Sequence, residues 1–104
     1  MAEVAVVARL RAKTGQEEKV RRELLHLVDE THKESGCIKY DLHQSLDDKA
    51  QFVFYEIWQS KEALDDHLDT PHLVRLSSMI DELFAEEPVI ELFEMISEPK
   101  SARR

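Results

Sequence analysis

Two histidines, a glutamate and an indole fall in one stretch, residues 56–72, which reads Glu56-Ile57-Trp58-Gln59-Ser60-Lys61-Glu62-Ala63-Leu64-Asp65-Asp66-His67-Leu68-Asp69-Thr70-Pro71-His72. A free imidazole titrates near neutrality, at about 6.5, so a histidine in a dry pocket is a natural proton acceptor. His67 shares a stripe with Ala63, Leu64 and Leu68, because residues three and four apart lie on one helical face. A histidine in such a stripe is either a core residue bonded to a backbone carbonyl or part of the wall of a small-molecule pocket. His72 falls on the first turn of the next helix, where the positive helix end disfavours the imidazolium. It acts as a neutral base or covers the pocket mouth. Glu56 shares a strand face with Trp58, and a carboxylate on a half-apolar strand must be paired or protonated. It either fixes a histidine tautomer or pairs with Arg9 or Arg11.

Trp58 offers a flat face and one N–H donor, and Tyr40 offers a hydroxyl. Phe52, Phe54 and Met79 are pocket wall or plain core. The candidate catalytic residues are therefore His67, Glu56 and His72, and the candidate substrate-binding residues are Trp58, Tyr40, Phe54 and Met79. His67 and His72 stand five residues apart across a proline-marked break. That is not a helical metal-ligand spacing, and no third ligand suggests itself, so no metal site is expected. His26 and His43 fall on polar faces. His32 closes the first helix, where it meets the carbonyl end.

These residues need elements to hold them. Residues 4–12 read as a strand with Val4, Val6, Ala8 and Leu10 on one face and a second, partly apolar face bearing Ala5 and Val7. Thr14 and Glu17 form a capping-box pattern ahead of a helix with Val20, Leu24, Leu27, Val28 and Thr31 on its buried stripe. Gly36 stops that helix as a residue tolerant of the left-handed conformation. Residues 37–46 form a second strand, with Ile38, Tyr40, Leu42 and Gln44 on one side. Residues 51–58, rich in aromatic and β-branched types, form the strongest strand of the chain. Phe52, Phe54, Glu56 and Trp58 share one of its faces, and Val53, Tyr55 and Ile57 share the other. Ser60 opens a short helix. Thr70 caps another, with Pro71 at its first position and a stripe of Leu73, Leu76, Ile80, Leu83 and Phe84. Residues 88–96 are a last strand.

Strand, helix, strand, strand, two helices, strand is the order of an α+β, ferredoxin-like antiparallel sheet with helices on one face. The helices cover one side of that sheet. Ala5, Val7, Val53, Tyr55 and Ile57 on the other side predict a homodimer whose sheets pack face to face.

The chain has 104 residues, which implies one domain; residues 1–97 are assigned to it and 98–104 to a disordered polar tail. The net charge of −8 argues against nucleic acid and anionic membrane surfaces as partners. Cys37 is the sole cysteine, which excludes an intrachain disulfide and fits a reducing cytoplasm. No signal peptide or spanning segment is evident.

The segments Glu34-Ser35-Gly36-Cys37-Ile38-Lys39-Tyr40, Phe54-Tyr55-Glu56-Ile57-Trp58-Gln59-Ser60, Ala63-Leu64 and His67-Leu68-Asp69-Thr70-Pro71-His72 resemble the antibiotic biosynthesis monooxygenase-like domain, a dimeric α+β barrel. The resemblance spans roughly residues 3–97 and is closest to the small bacterial quinol monooxygenase branch. It extends also to the branch that processes a phosphorylated autoinducer sugar. It implies a pocket in each subunit between sheet and helices, and oxygenation of electron-rich aromatics without metal, flavin or haem, so no cofactor is expected. The haem-degrading branch needs an asparagine on the first strand, and this chain contains no asparagine. Oxygenation without a cofactor demands a base, donors for a developing oxyanion and a dry pocket. The expected function is a cofactor-independent monooxygenase acting on a small aromatic such as a quinol. Two alternatives stay open: an isomerase or lyase on a small carbonyl compound, phosphorylated or not, and a non-catalytic small-molecule-binding dimer.

Overall fold

The computed structural model describes residues 2–98. Four strands, β1 (Val4–Arg11), β2 (Cys37–Gln44), β3 (Gln51–Trp58) and β4 (Val89–Phe93), form one sheet in the order β2-β3-β1-β4. Every neighbouring pair is antiparallel. Helix α1 (Glu17–Thr31) connects β1 to β2. Helices α2 (Lys61–Leu68), α3 (Pro71–Ser77) and α4 (Ile80–Leu83) connect β3 to β4. This is the ferredoxin-like α+β arrangement.

The alternation along β1 and β3 decides which face the helices take. Val6, Ala8 and Leu10 of β1 and Phe52, Phe54 and Trp58 of β3 are buried in one cluster with Val20, Leu24 and Leu27 of α1, Leu64 of α2, Leu76 of α3 and Leu83 of α4. Val7, Val53, Tyr55 and Ile57 have the opposite parity and stay partly exposed, so the helices pack on a single face. β4 is exposed along its whole length, although Val89, Ile90, Leu92 and Phe93 are apolar.

Several local expectations differ. Thr14 does not cap α1. Gln16 occupies the cap position without a side-chain hydrogen bond, and Glu17 turns back to accept from the Gly15 N–H at 2.9 Å. Gly15 adopts a φ of 90°, a conformation that favours glycine. Gly36 is not the helix stop: α1 closes at His32, and Gly36 does not have a positive φ. What position 36 requires is the absence of a side chain, because a Cβ there would stand 2.5 Å from the Ala63 Cβ. Ile38 leaves the buried face of β2, because a bulge between Cys37 and Lys39 shifts the pairing by one residue and exposes it. β2 ends at Gln44, and β4 covers only Val89–Phe93 of the expected 88–96. The long helix expected after Thr70 is broken at Ser78 and Met79 into α3 and α4. Leu83 and Phe84 stay buried, and Ala12 bridges to Phe84 just after α4. Of the expected tail, residues 99–104 lie outside the described residues.

Candidate functional site

A cavity of about 250 Å³ lies between the inner face of the sheet and the helices. Its floor is Val6 and Ala8 of β1, Tyr40 of β2, and Phe54 and Glu56 of β3; its roof is Leu64 and His67 of α2, with Leu73 and Leu76 of α3 and Ile80 of α4. Pro88 and the half-exposed Ile90 complete the wall at the β4 edge. The lining is almost wholly apolar, and the polar groups among it are few, as small-molecule pockets require.

Two capped helices place the histidines. Ser60 Oγ accepts from the Ala63 N–H at 3.1 Å and starts α2, which turns His67 inward to 2% exposure. Thr70 Oγ1 accepts from the Leu73 N–H at 3.4 Å, and Pro71 takes the first turn of α3. The Thr70 hydroxyl also donates to the His67 carbonyl at 2.7 Å, tying the two helices at the site.

The residue that organises them is Glu34, in the loop after α1. His67 Nδ1–H donates to Glu34 Oε2 at 2.8 Å, and His72 Nε2–H donates to the same oxygen at 2.7 Å. A carboxylate only accepts, so this pairing keeps a proton on His67 Nδ1 and leaves Nε2 as the ring nitrogen with a free lone pair. Burial lowers the His67 pKa, with the neighbouring His72 charge adding to the effect and Glu34 opposing it. The ring packs 4.4 Å from the Trp58 indole and 5.3 Å from Tyr40, centroid to centroid.

Glu56 is 4% exposed and takes neither of its expected partners. Arg9 pairs with Glu91 and Arg11 with Asp48. Glu56 Oε1 instead accepts the Trp58 indole N–H at 2.8 Å. Burial pushes its pKa up to about 7, the Trp58 hydrogen bond opposes the rise, and the Glu34 charge adds to it. Burial, followed by the Glu56 charge, raises the Tyr40 phenol well above its usual range, so it remains a protonated donor. Burial, followed by the charges of Glu34 and Glu56, pushes the Cys37 thiol up to about 11, which makes it a poor nucleophile.

Among the singled-out residues, His67, Glu56, Tyr40 and Phe54 line the cavity. Trp58 lies fully buried behind Glu56 and His67 and does not line it. Met79 sits in the turn between α3 and α4, packed against the core outside the lining. His72 joins the site through Glu34. His32 reaches the Tyr40 carbonyl of β2 at 3.0 Å, not the end of its own helix, and His26 and His43 are exposed. Sequence reasoning missed Glu34 as a site residue. The local signal that could have found it is the small-residue pair Gly36 and Ala63, which lets the 34–36 loop press against α2. Glu34 Oε2, His67 Nδ1 and His72 Nε2 lie within 4.8 Å of one another, so the third metal-type ligand absent from the histidine spacing is present in space.

A ferredoxin-like sheet roofed by short helices over an apolar hollow defines a domain of the kind that encloses small molecules. The chain belongs to the antibiotic biosynthesis monooxygenase family, whose model matches residues 3–77. The Mycobacterium tuberculosis protein named "Putative monooxygenase Rv0793" is 30% identical over 95 residues, covering 91% of this chain and 93% of that protein. The crystal structure of PA3566 from Pseudomonas aeruginosa superposes with a TM-score of 0.88 at 31% identity, covering 93% of this chain and 97% of the other. A structure described as an antibiotic biosynthesis monooxygenase gives a TM-score of 0.85 at 30% identity, covering 90% and 99%.

Proposed function

We propose that this protein is a monooxygenase that oxidises a small electron-rich aromatic such as a quinol, using no organic or metal cofactor in the reaction. The observation that carries the reading is the pairing of an apolar cavity with a buried imidazole whose Nδ1 is held by Glu34 and whose Nε2 is unengaged. His67 Nε2 accepts the phenolic proton, and Glu34 stabilises the imidazolium that forms. The phenolate passes electron density to dioxygen, and a C–O bond forms at a ring carbon as a hydroperoxide. That carbon loses its hydrogen, the O–O bond breaks, and water leaves, so the product carries a new carbonyl. The substrate supplies both electron pairs that dioxygen takes up. Tyr40 and protonated Glu56 are the donors facing the developing oxygen charges. Trp58 positions Glu56 through its N–H, and Phe54 forms the wall against which a ring can lie. His72 positions Glu34, and Met79 packs behind the roof.

No lysine or arginine is among the residues lining the cavity, which favours an uncharged aromatic over a phosphorylated carbonyl compound. The working unit in this reading is a homodimer, since β4 and the outer sheet face leave apolar surface uncovered. A cytoplasmic location accords with the single cysteine. No helix among the described residues is long and apolar enough to cross a membrane.

Oxygen uptake by chelator-treated protein, measured against a panel of quinols, tests the reading. Uptake is expected, and His67→Ala should lower it about a hundredfold or more, as loss of a general base does. No uptake, with turnover of small carbonyl compounds instead, would overturn it.

A further inference from the structure

Glu34 Oε2, His67 Nδ1 and His72 Nε2 converge from three separate elements: the loop after α1, helix α2 and the start of α3. Two imidazoles and one carboxylate are the donor set of borderline transition metals, whereas magnesium and calcium prefer oxygen alone. The present spacings, 2.8 Å and 2.7 Å from the shared oxygen, are those of hydrogen bonds. Tetrahedral ligation at about 2.0–2.1 Å needs donor atoms roughly 3.3 Å apart, so an ion would part the carboxylate oxygen from each nitrogen by about half an ångström, and the three donor atoms already lie within 4.8 Å of one another. A second, polar groove runs along this side of the molecule, separate from the apolar cavity, and it is lined by Glu34, Glu62, Asp66 and Thr70. Its carboxylates favour a cation, and its open side admits the water that completes the shell. The Glu34 and His72 side chains are each 16% exposed, so an ion can reach them without opening the core.

We infer that Glu34, His67 and His72 form a binding site for a single divalent transition-metal ion of the zinc or cobalt class, entered from the Glu62–Asp66 groove. The site lies behind the cavity and controls it. A neutral imidazole ligated through Nδ1 carries its proton on Nε2. The ion therefore exchanges the His67 tautomer, turning Nε2 from acceptor to donor, with no net change in the number of ring protons. On the reading of His67 as base, which this step rests upon, an occupied site switches the base off.

Cobalt(II) added to chelator-treated full-length protein tests the site through its visible absorption, independently of turnover. Saturable uptake of one cobalt per chain is expected, with the intense bands of low-coordinate cobalt. Glu34→Gln and His72→Gln, which keep a hydrogen-bonding side chain but remove a good ligand, should each weaken uptake roughly tenfold or more, since losing even a supporting partner costs 10–100-fold. Asp66→Asn, which alters the groove and no ligand, should weaken it less. Absence of saturable uptake, or uptake that both ligand variants retain, overturns the site. Where chelated enzyme consumes oxygen, cobalt should slow it in proportion to occupancy; undiminished or faster turnover overturns the switch. Absence of oxygen uptake in the chelated enzyme counts against the oxygenase reading alone, and the absorption titration still decides whether the metal site exists.

Discussion

A carboxyl group buried to 4% exposure with one indole donor is an energetic liability unless it is protonated. Glu56 is such a group, and its pKa is pushed up to about 7 from the ordinary 4.5. A raised folded-state pKa contributes stability that is fully present below the unfolded value, near 4.5, and is lost as pH rises through about 7. Glu56→Gln keeps an oxygen for the Trp58 N–H and removes the charge. It should therefore be more stable than the wild type at pH 8 by about 3 kcal/mol, at 1.36 kcal/mol per unit. Urea denaturation from pH 4 to 8 checks this, and a variant whose pH dependence matched the wild type would refute it. The residue scale is also where sequence reasoning reached least far. His67 and Glu56 stood out because polar types broke apolar stripes. Glu34 broke nothing: it sits in a polar stretch before a glycine, and its partners lie 33 and 38 residues away. Such a residue is found by what surrounds it in space, and periodicity carries no record of that.

The elements were legible where hydrophobic spacing and cap residues agreed. Ser60 and Thr70 cap their helices as read, and the alternation of Phe52, Phe54, Glu56 and Trp58 places all four on the buried face. The failures share a cause, which is a tertiary contact overriding a local signal. The apolar stripe runs uninterrupted through the α3 to α4 break, and just after α4 the backbone turns extended at Phe84, which pairs with Ala12. Gly36 looks like a helix stop but serves the approach of its loop to α2. Gly36→Ala forces the loop from Ala63 and should cost about 1–3 kcal/mol, as overpacking does. It should also pull Glu34 from both histidines. Ala63→Gly alone should cost about 1 kcal/mol, through helix propensity. The double variant should lose distinctly less than the sum, because the clash is then absent. Denaturation midpoints of the three variants measure the coupling, and strict additivity would show that the two positions do not press on each other.

At the scale of the whole molecule, the helices satisfy one face of the sheet and leave the other. Val7, Val53, Tyr55 and Ile57 are partly exposed on the outer face, and Val89, Ile90, Leu92 and Phe93 are each 45–52% exposed on the edge strand. An edge strand with uncovered apolar residues on both faces invites a partner, and nothing in its composition repels one except Glu91, which Arg9 pairs. A chain this short also buries a modest fraction of its surface alone, so association would add to the stability of the single core. Ile90 belongs at once to the cavity wall and to the uncovered edge, so a second copy seated on β4 would complete the enclosure of the substrate. On the proposed oxygenase reading, the dry pocket would depend on such a dimer. Phe93, across from Ala5 on the outer face, is the largest side chain in the exposed edge. Phe93→Glu should weaken the dimer by about 2 kcal/mol or more, the scale of a buried aromatic anchor, or roughly thirtyfold in Kd. Sedimentation velocity across a concentration series reads both quantities. A wild-type protein that stays monomeric throughout would refute the dimer, and a dimer indifferent to Phe93→Glu would place its interface elsewhere; either would leave the β4 side of the cavity open to water.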